Sequence, residues 1–310
     1  MRKKILIAVE NSIHSKHALA YAARMAGIIG DIDFVLLHVQ PMVSGYLVED
    51  ALKSPKARAE LETVKKNNRS AAQELLKNCK QQLLESGVAA ECVELKTVNR
   101  DAGVADDILN MAESGAYDAL LIGRRGISGL QELFIGSVTA NLLSHSKRMP
   151  LWVVDGRVSS EKILIAVDGS VNSLRAVDHV AFMLSNTSGV SLELLHVQPR
   201  LSDFCELGSP DTDTKNLKAA IRQSSQQCIR DFKDRVFDMF REAGLSEEQI
   251  SFQEIDKRLA PAKAILEKAR KEQFGTVVIG RQGQSASKFM GKVASAVVHK
   301  IKDNAVWVIP

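Results

Sequence analysis

At 310 residues the chain is longer than most single domains, so one or two domains are expected. With 45% hydrophobic and 25% charged residues it has the composition of a soluble globular protein. A formal charge of +4 and 5% aromatics argue against a nucleic-acid surface, because phosphate binding needs clustered charge and base stacking needs rings.

The elements follow in chain order. Residues 5–9 are a short continuous apolar run, as expected for a strand covered on both faces of a parallel sheet. Glu10, Asn11 and Ser12 break it, and residues 15–27 read as a helix with Ala18, Leu19, Ala22, Ala23 and Ala26 on one stripe. A second strand over 34–39 ends at Pro41, and residues 42–55 read as a loop. A long charged helix over 57–86 stops at Gly87, and a third strand spans 90–98. A helix over 105–114, a strand over 119–122, a helix over 138–144 and a strand over 151–154 complete the set. Strands alternating with helices predict an α/β fold, with a parallel sheet and helices on both faces.

Between the fourth strand and the next helix lies a glycine-bearing loop. Gly123, Gly126 and Gly136 are spaced G-x2-G-x9-G, and Ser137 follows. Glycines admit an anion close to backbone N–H groups, and a helix N-terminus adds the positive end of its dipole. Ser137 and Thr139 offer hydroxyls there, and Arg124 and Arg125 offer charge. The chemistry indicated is phosphate binding; the plainer alternative is an ordinary strand-to-helix turn.

The pattern then starts again. Residues 162–170 (KILIAVDGS) repeat residues 4–12 (KILIAVENS), and residues 194–199 repeat 36–41 as LLHVQP. Residues 280–283 (GRQG) match 123–126 (GRRG), and 307–309 (WVI) match 152–154 (WVV). This is a tandem duplication of about 150 residues per copy, a single-domain size. Residues 1–155 form the first domain, 156–160 a short linker and 161–310 the second.

The repeated strand, the LLHVQP segment and the glycine motif resemble the universal stress protein family in its tandem two-domain form. The resemblance implies two open five-stranded parallel sheets of the adenine nucleotide α-hydrolase type, which are Rossmann-like. It also implies that members with the intact glycine motif bind ATP, alone or with magnesium. Carried over by position, Ala8, Val9 and Glu10 lie beside base and ribose, and Val39 lies near the adenine. Ile122, Gly123, Arg125 and Gly126 approach ribose and phosphate; Gly136, Ser137, Val138 and Thr139 hold the phosphates. Glu10 stands where the family usually has Asp. The second copy would use Asp168, Val197, Gly280, Gly283, Gly291 and Lys292, but its loop is two residues shorter and Lys292 replaces the serine. That predicts one ATP per chain, in the first domain. The functional expectation is a stress regulator acting through nucleotide-dependent conformation or partner binding. The alternatives are a scaffold without nucleotide and a slow ATPase, for which no catalytic base is evident.

Further expectations concern partners and single residues. The two domains should pair their last strands antiparallel as an intrachain pseudo-dimer; a homodimer and an unknown protein partner stay open. Neither nucleic acid nor membrane is expected, because the run at residues 5–9 is too short for a signal-peptide core or a span. Cys79, Cys92, Cys205 and Cys228 form no C-x-x-C pair, so reduced cytoplasmic thiols are expected rather than zinc or disulfides. His38 and His196 are expected to be hydrogen-bonded strand-end histidines, and Ser12 and Ser170 to be helix caps.

Overall fold

A computed structural model describes residues 2–126, 135–198, 212–256, 260–283 and 290–310. The chain divides into two compact units, Met1–Arg157 and Val158–Pro310.

Unit 1 runs β1 (Lys3–Ala8), α1 (Ile13–Ile29), β2 (Ile32–Gln40), α2 (Gly45–Lys53), α3 (Pro55–Glu85), β3 (Val93–Asn99), α4 (Val104–Ser114), β4 (Ala119–Gly123), α5 (Ser137–His145) and β5 (Leu151–Asp155). Its strands lie in the order β3-β2-β1-β4-β5, and each neighbouring pair is parallel. Ile5, Leu6 and Ile7 of β1 and Leu120 and Leu121 of β4 are fully buried. Burial on both faces is why these strands read as unbroken apolar runs rather than alternating ones. Each such side chain contributes about 1.5–3 kcal/mol of transfer free energy.

Unit 2 repeats the plan with β6 (Ile163–Val167), α6 (Val171–Met183), β7 (Leu192–Gln198), α7 (Thr212–Glu242), β8 (Ile250–Asp256), α8 (Pro261–Lys271), β9 (Thr276–Gly280), α9 (Lys292–Lys300) and β10 (Asn304–Ile309). The order is β8-β7-β6-β9-β10, again parallel throughout. In each unit a buried tryptophan takes an edge-on ring from the first helix. Tyr21 stands 6.3 Å from Trp152, and His179 stands 5.6 Å from Trp307.

In both sheets the chain reverses its direction of winding beside the first strand, so a crevice opens at the carboxyl ends of β1 and β4, and of β6 and β9.

Two expectations are corrected. Residues 42–55 contain α2, which packs Ala51 inward while the Arg58 Nε–H donates to the Ala51 carbonyl at 3.3 Å. The flanking prolines are real punctuation: Pro55 opens α3 and Ser54 caps it. They do not exclude a nine-residue helix held by packing. The third strand begins at Val93, because Ala90–Cys92 form a 3-10 turn. Lys80 of α3 ties that turn down, donating to the carbonyls of Ala90 and Val93 at 2.8 Å each.

Candidate functional site

The site in unit 1 is built on the carboxyl ends of β1 and β4. After β1 the chain folds back on itself: the Glu10 N–H donates to Ser15 Oγ at 2.9 Å, and the Ser12 N–H to the Glu10 carbonyl at 2.8 Å. Ser12 caps α1 by accepting from the Ser15 N–H at 3.2 Å, as its residue type suggests. His38 Nδ1 lies 2.9 Å from the Val9 carbonyl, so this histidine joins the ends of β2 and β1. The expected strand-end role of His38 is therefore the observed one. Val9 and Ile122 are buried, while Ala8, Glu10 and Val39 are half-buried at the same edge.

The glycines are explained by what surrounds them. A Cβ on Gly123 would lie 2.9 Å from the carbonyl carbon, carbonyl oxygen and Cβ of His14, so only glycine lets the first turn of α1 sit on the end of β4. A Cβ on Gly126 would lie 2.7 Å from Glu10 Oε1, which places the Glu10 carboxylate against the loop. The loop is closed by the Gly136 N–H donating to the Arg124 carbonyl at 3.0 Å. A Cβ on Gly136 would lie 3.3 Å from both Arg125 Cα and Gly126 N.

Gly136 is also the N-cap of α5 and supplies no side-chain cap. The first helical bond runs from Ala140 N–H to the Gly136 carbonyl at 2.9 Å. The N–H groups of Ser137, Val138 and Thr139 precede that bond and have no intrahelical acceptor. Together they form the positive end of a helix beside three glycines, an arrangement suited to an anion.

Two side-chain expectations change. The Thr139 hydroxyl does not face a ligand; it is buried and donates to the Gly123 carbonyl at 3.0 Å. Only Ser137 leaves its side chain exposed there. The arginines do not project as two unbalanced charges. Arg124 Nε lies 2.9 Å and Arg125 Nη2 3.0 Å from the same atom, Asp155 Oδ1, in a buried group. Two guanidiniums over one carboxylate leave one net positive charge beside the loop. His14 belongs to this group: burial first, and Arg125 next, hold its pKa below the usual histidine value. Asp155 was missed in the sequence. A carboxylate ending a strand that is otherwise wholly buried was the available signal.

Unit 2 carries the same scaffold. The Asp168 N–H donates to Ser173 Oγ at 3.0 Å, and Ser170 caps α6. Here the carboxylate is tied down as well: Asp168 Oδ1 accepts from the Ser170 N–H at 3.0 Å and from the Ser173 hydroxyl at 2.7 Å. A Cβ on Gly283 would lie 2.6 Å from Asp168 Oδ2, and one on Gly280 would lie 3.1 Å from the Asn172 carbonyl oxygen. His196 Nδ1 lies 3.0 Å from the Val167 carbonyl, and Val197 follows at the half-buried strand end. The Gly291 N–H closes the loop onto the Arg281 carbonyl at 2.8 Å, and Gly291 caps α9 without a side chain. Lys292 is exposed at the first helical position. The two-residue shortening therefore leaves both ends of the loop in place. The loop centres, 127–134 and 284–289, lie outside the described residues, as does Cys205.

Among the described residues, no group of three His, Cys, Asp or Glu could hold a metal ion, and no helix is long and apolar enough to cross a membrane. Cys79 is buried, and burial pushes its thiol up to about 11, which makes it inert as a nucleophile at neutral pH.

Comparison with known proteins places this architecture. The universal stress protein family matches the chain twice, over residues 1–155 and 159–310. The chain belongs to the universal stress protein family. It is a tandem member, and a universal stress protein of Mycolicibacterium smegmatis is 26% identical over 313 residues, covering 97% of this chain and 94% of the relative. The single-unit universal stress protein YxiE of Bacillus subtilis is 28% identical over 156 residues, 50% of this chain and 99% of its own length. A universal stress protein crystal structure from Archaeoglobus fulgidus has the same fold, with a TM-score of 0.64 at 18% identity over 98% of this chain and 97% of that one.

Proposed function

We propose that unit 1 binds one ATP per chain and that occupancy regulates the conformation or partner binding of this universal stress protein in the cytoplasm. The observation that carries the reading is the closed loop. The Gly136 bond to Arg124 sets an uncapped helix N-terminus and three glycines beside the Arg124, Arg125 and Asp155 group, with the Glu10 carboxylate against the loop at Gly126. A Cβ at Gly126 would meet Glu10 Oε1 and one at Gly136 would meet the loop backbone, so both positions favour glycine, in keeping with a loop that would approach a phosphate through its backbone. In this reading the N–H groups of Ser137, Val138 and Thr139, with the Ser137 hydroxyl, receive the phosphates. Glu10 takes the ribose, and Ala8, Val9 and Val39 bound the adenine. Magnesium would arrive with the triphosphate, since the described residues offer no metal cluster of their own. Asp168, Val197, Gly280, Gly283, Gly291 and Lys292 form the second site, which lacks the hydroxyl and two residues of loop. Regulation rather than turnover is the reading, and no described side chain is assigned as a catalytic base.

Mass spectrometry of small molecules released from the freshly purified full chain tests it. Adenine nucleotide at about one per chain is expected. No nucleotide, together with no heat on titration with ATP, would overturn the proposal.

A further inference from the structure

The group around Asp155 contains more than the nucleotide reading uses. His14, in the first turn of α1, sits against the end of β4: the position of a Cβ on Gly123 is 2.9 Å from His14 Cβ. Arg125 stands beside it on the loop, held by Asp155 of β5. His17, one turn further along α1, stands edge-on to His14 at 6.3 Å. Among the described residues, His14 Nδ1, His17 Nδ1 and Arg125 Nε of this group are buried and find no hydrogen-bond partner. A buried polar atom left without a partner is costly, and a ligand that satisfies it recovers that cost. Such nitrogens in a group with one net positive charge, beside the glycine loop and the N-terminus of α5, suit an anion.

We propose that His14 and Arg125, with Asp155 holding the arginine, form an anion subsite of the unit 1 crevice that takes a phosphate group of the bound nucleotide. It rests on the reading of unit 1 as a nucleotide site. The groups facing His14 are Arg124 and Arg125 on the loop, Asp155 on β5 and His17 on its own helix. Without the anion, burial and the arginines keep the His14 ring neutral. An anion between the ring and Arg125 reverses that balance, so a proton from solvent joins the imidazole as the phosphate binds. The subsite is confined to unit 1. The corresponding positions in unit 2 are Asn172, Gln282 and Pro310, none of which has a charged side chain.

The test is calorimetry on the full chain with ATP and with adenosine, in two buffers of different ionisation enthalpy. ATP is expected to bind with more proton uptake to the native chain than to His14→Asn; the proton chemistry of ATP itself is common to both. Native affinity for ATP should rise by about three- to tenfold from pH 8 to pH 6 relative to the variant. Arg125→Gln should weaken ATP about tenfold and adenosine by less than that. Equal uptake by native and His14→Asn proteins would overturn the subsite while leaving nucleotide binding intact. If His14→Asn does not fold, the native chain decides alone: uptake with adenosine equal to that with ATP overturns the assignment. Absence of ATP binding to the native chain would remove the nucleotide reading and the subsite together.

Discussion

At the end of β1 the carboxylate of Glu10 reaches Gly126, and at the end of β6 the shorter Asp168 reaches the matching Gly283 while accepting from the Ser170 N–H and the Ser173 hydroxyl. The backbone around the two acids is the same: each donates its own N–H to the serine five residues on, at 2.9 and 3.0 Å. The extra methylene of Glu10 does not change which glycine the carboxylate meets: an added Cβ would lie 2.7 Å from Glu10 Oε1 at Gly126 and 2.6 Å from Asp168 Oδ2 at Gly283. The loops differ in the charged groups around them. Both close through one N–H to carbonyl bond, but unit 1 adds Arg125 and Asp155 where unit 2 has Gln282 and Pro310. Backbone geometry survived the duplication because short strands, tight turns and glycines fix it, while the charged groups around it diverged. The two crevices are thus equal as scaffolds and unequal as electrostatic sites.

The largest expected difference tests the scaffold. A Cβ at residue 123 would meet the backbone of His14 at 2.9 Å, which a side-chain rotation cannot relieve. Gly123→Ala should therefore cost about 3 kcal/mol, at the upper end for overpacking. At Gly280 the closest approach is 3.1 Å, and Gly280→Ala should cost about 1 kcal/mol. Guanidinium unfolding followed by tryptophan fluorescence measures both, and equal midpoints would show that the two turns are under the same constraint.

The second concerns acid. His179 is fully enclosed beside Trp307, and burial pushes its pKa down to about 3, where unit 1 has Tyr21. The unfolded chain binds a proton on this ring below about pH 6.5, and the folded chain does not until about pH 3. Stability is therefore whole above pH 6.5 and falls as pH drops towards 3, by about 2 kcal/mol between pH 7 and pH 5. In denaturant titrations at both pH values, His179→Phe should flatten that dependence. An unchanged slope would place the acid sensitivity elsewhere.

The smallest concerns binding. Gly136→Val brings a branched side chain onto Arg125 Cα and Gly126 N and should weaken ATP at least tenfold, about 1.4 kcal/mol. Gly291→Val, at the matching cap of α9, should leave the stoichiometry and affinity of the full chain unchanged. Calorimetry on both variants reads the outcome. A loss from Gly291→Val with none from Gly136→Val would assign the nucleotide to unit 2 and make Asp168 matter more than the longer loop.

The sequence by itself determined the duplication, the parallel sheets and the position of the glycine loop. These are local properties: a strand covered on both faces must be a continuous apolar run, and a backbone that approaches another closely must be glycine. It also placed the caps Ser12 and Ser170, whose partners lie three residues on in the helix, and the hydrogen-bonded strand-end histidines His38 and His196, whose partners lie at the end of the adjoining strand. What it left undecided depends on which elements meet in space. The nine residues of α2 carried too little periodicity to outweigh two prolines, and packing on α3 decided them. The Thr139 hydroxyl had two possible acceptors, a ligand or the Gly123 carbonyl, and the approach of α5 to the end of β4 chose the second. Asp155 lies 30 residues from Arg125 in the chain, and only the pairing of β4 with β5 brings them together. A buried carboxylate must find a positive partner, but the sequence does not say which one, because that choice is made by strand order.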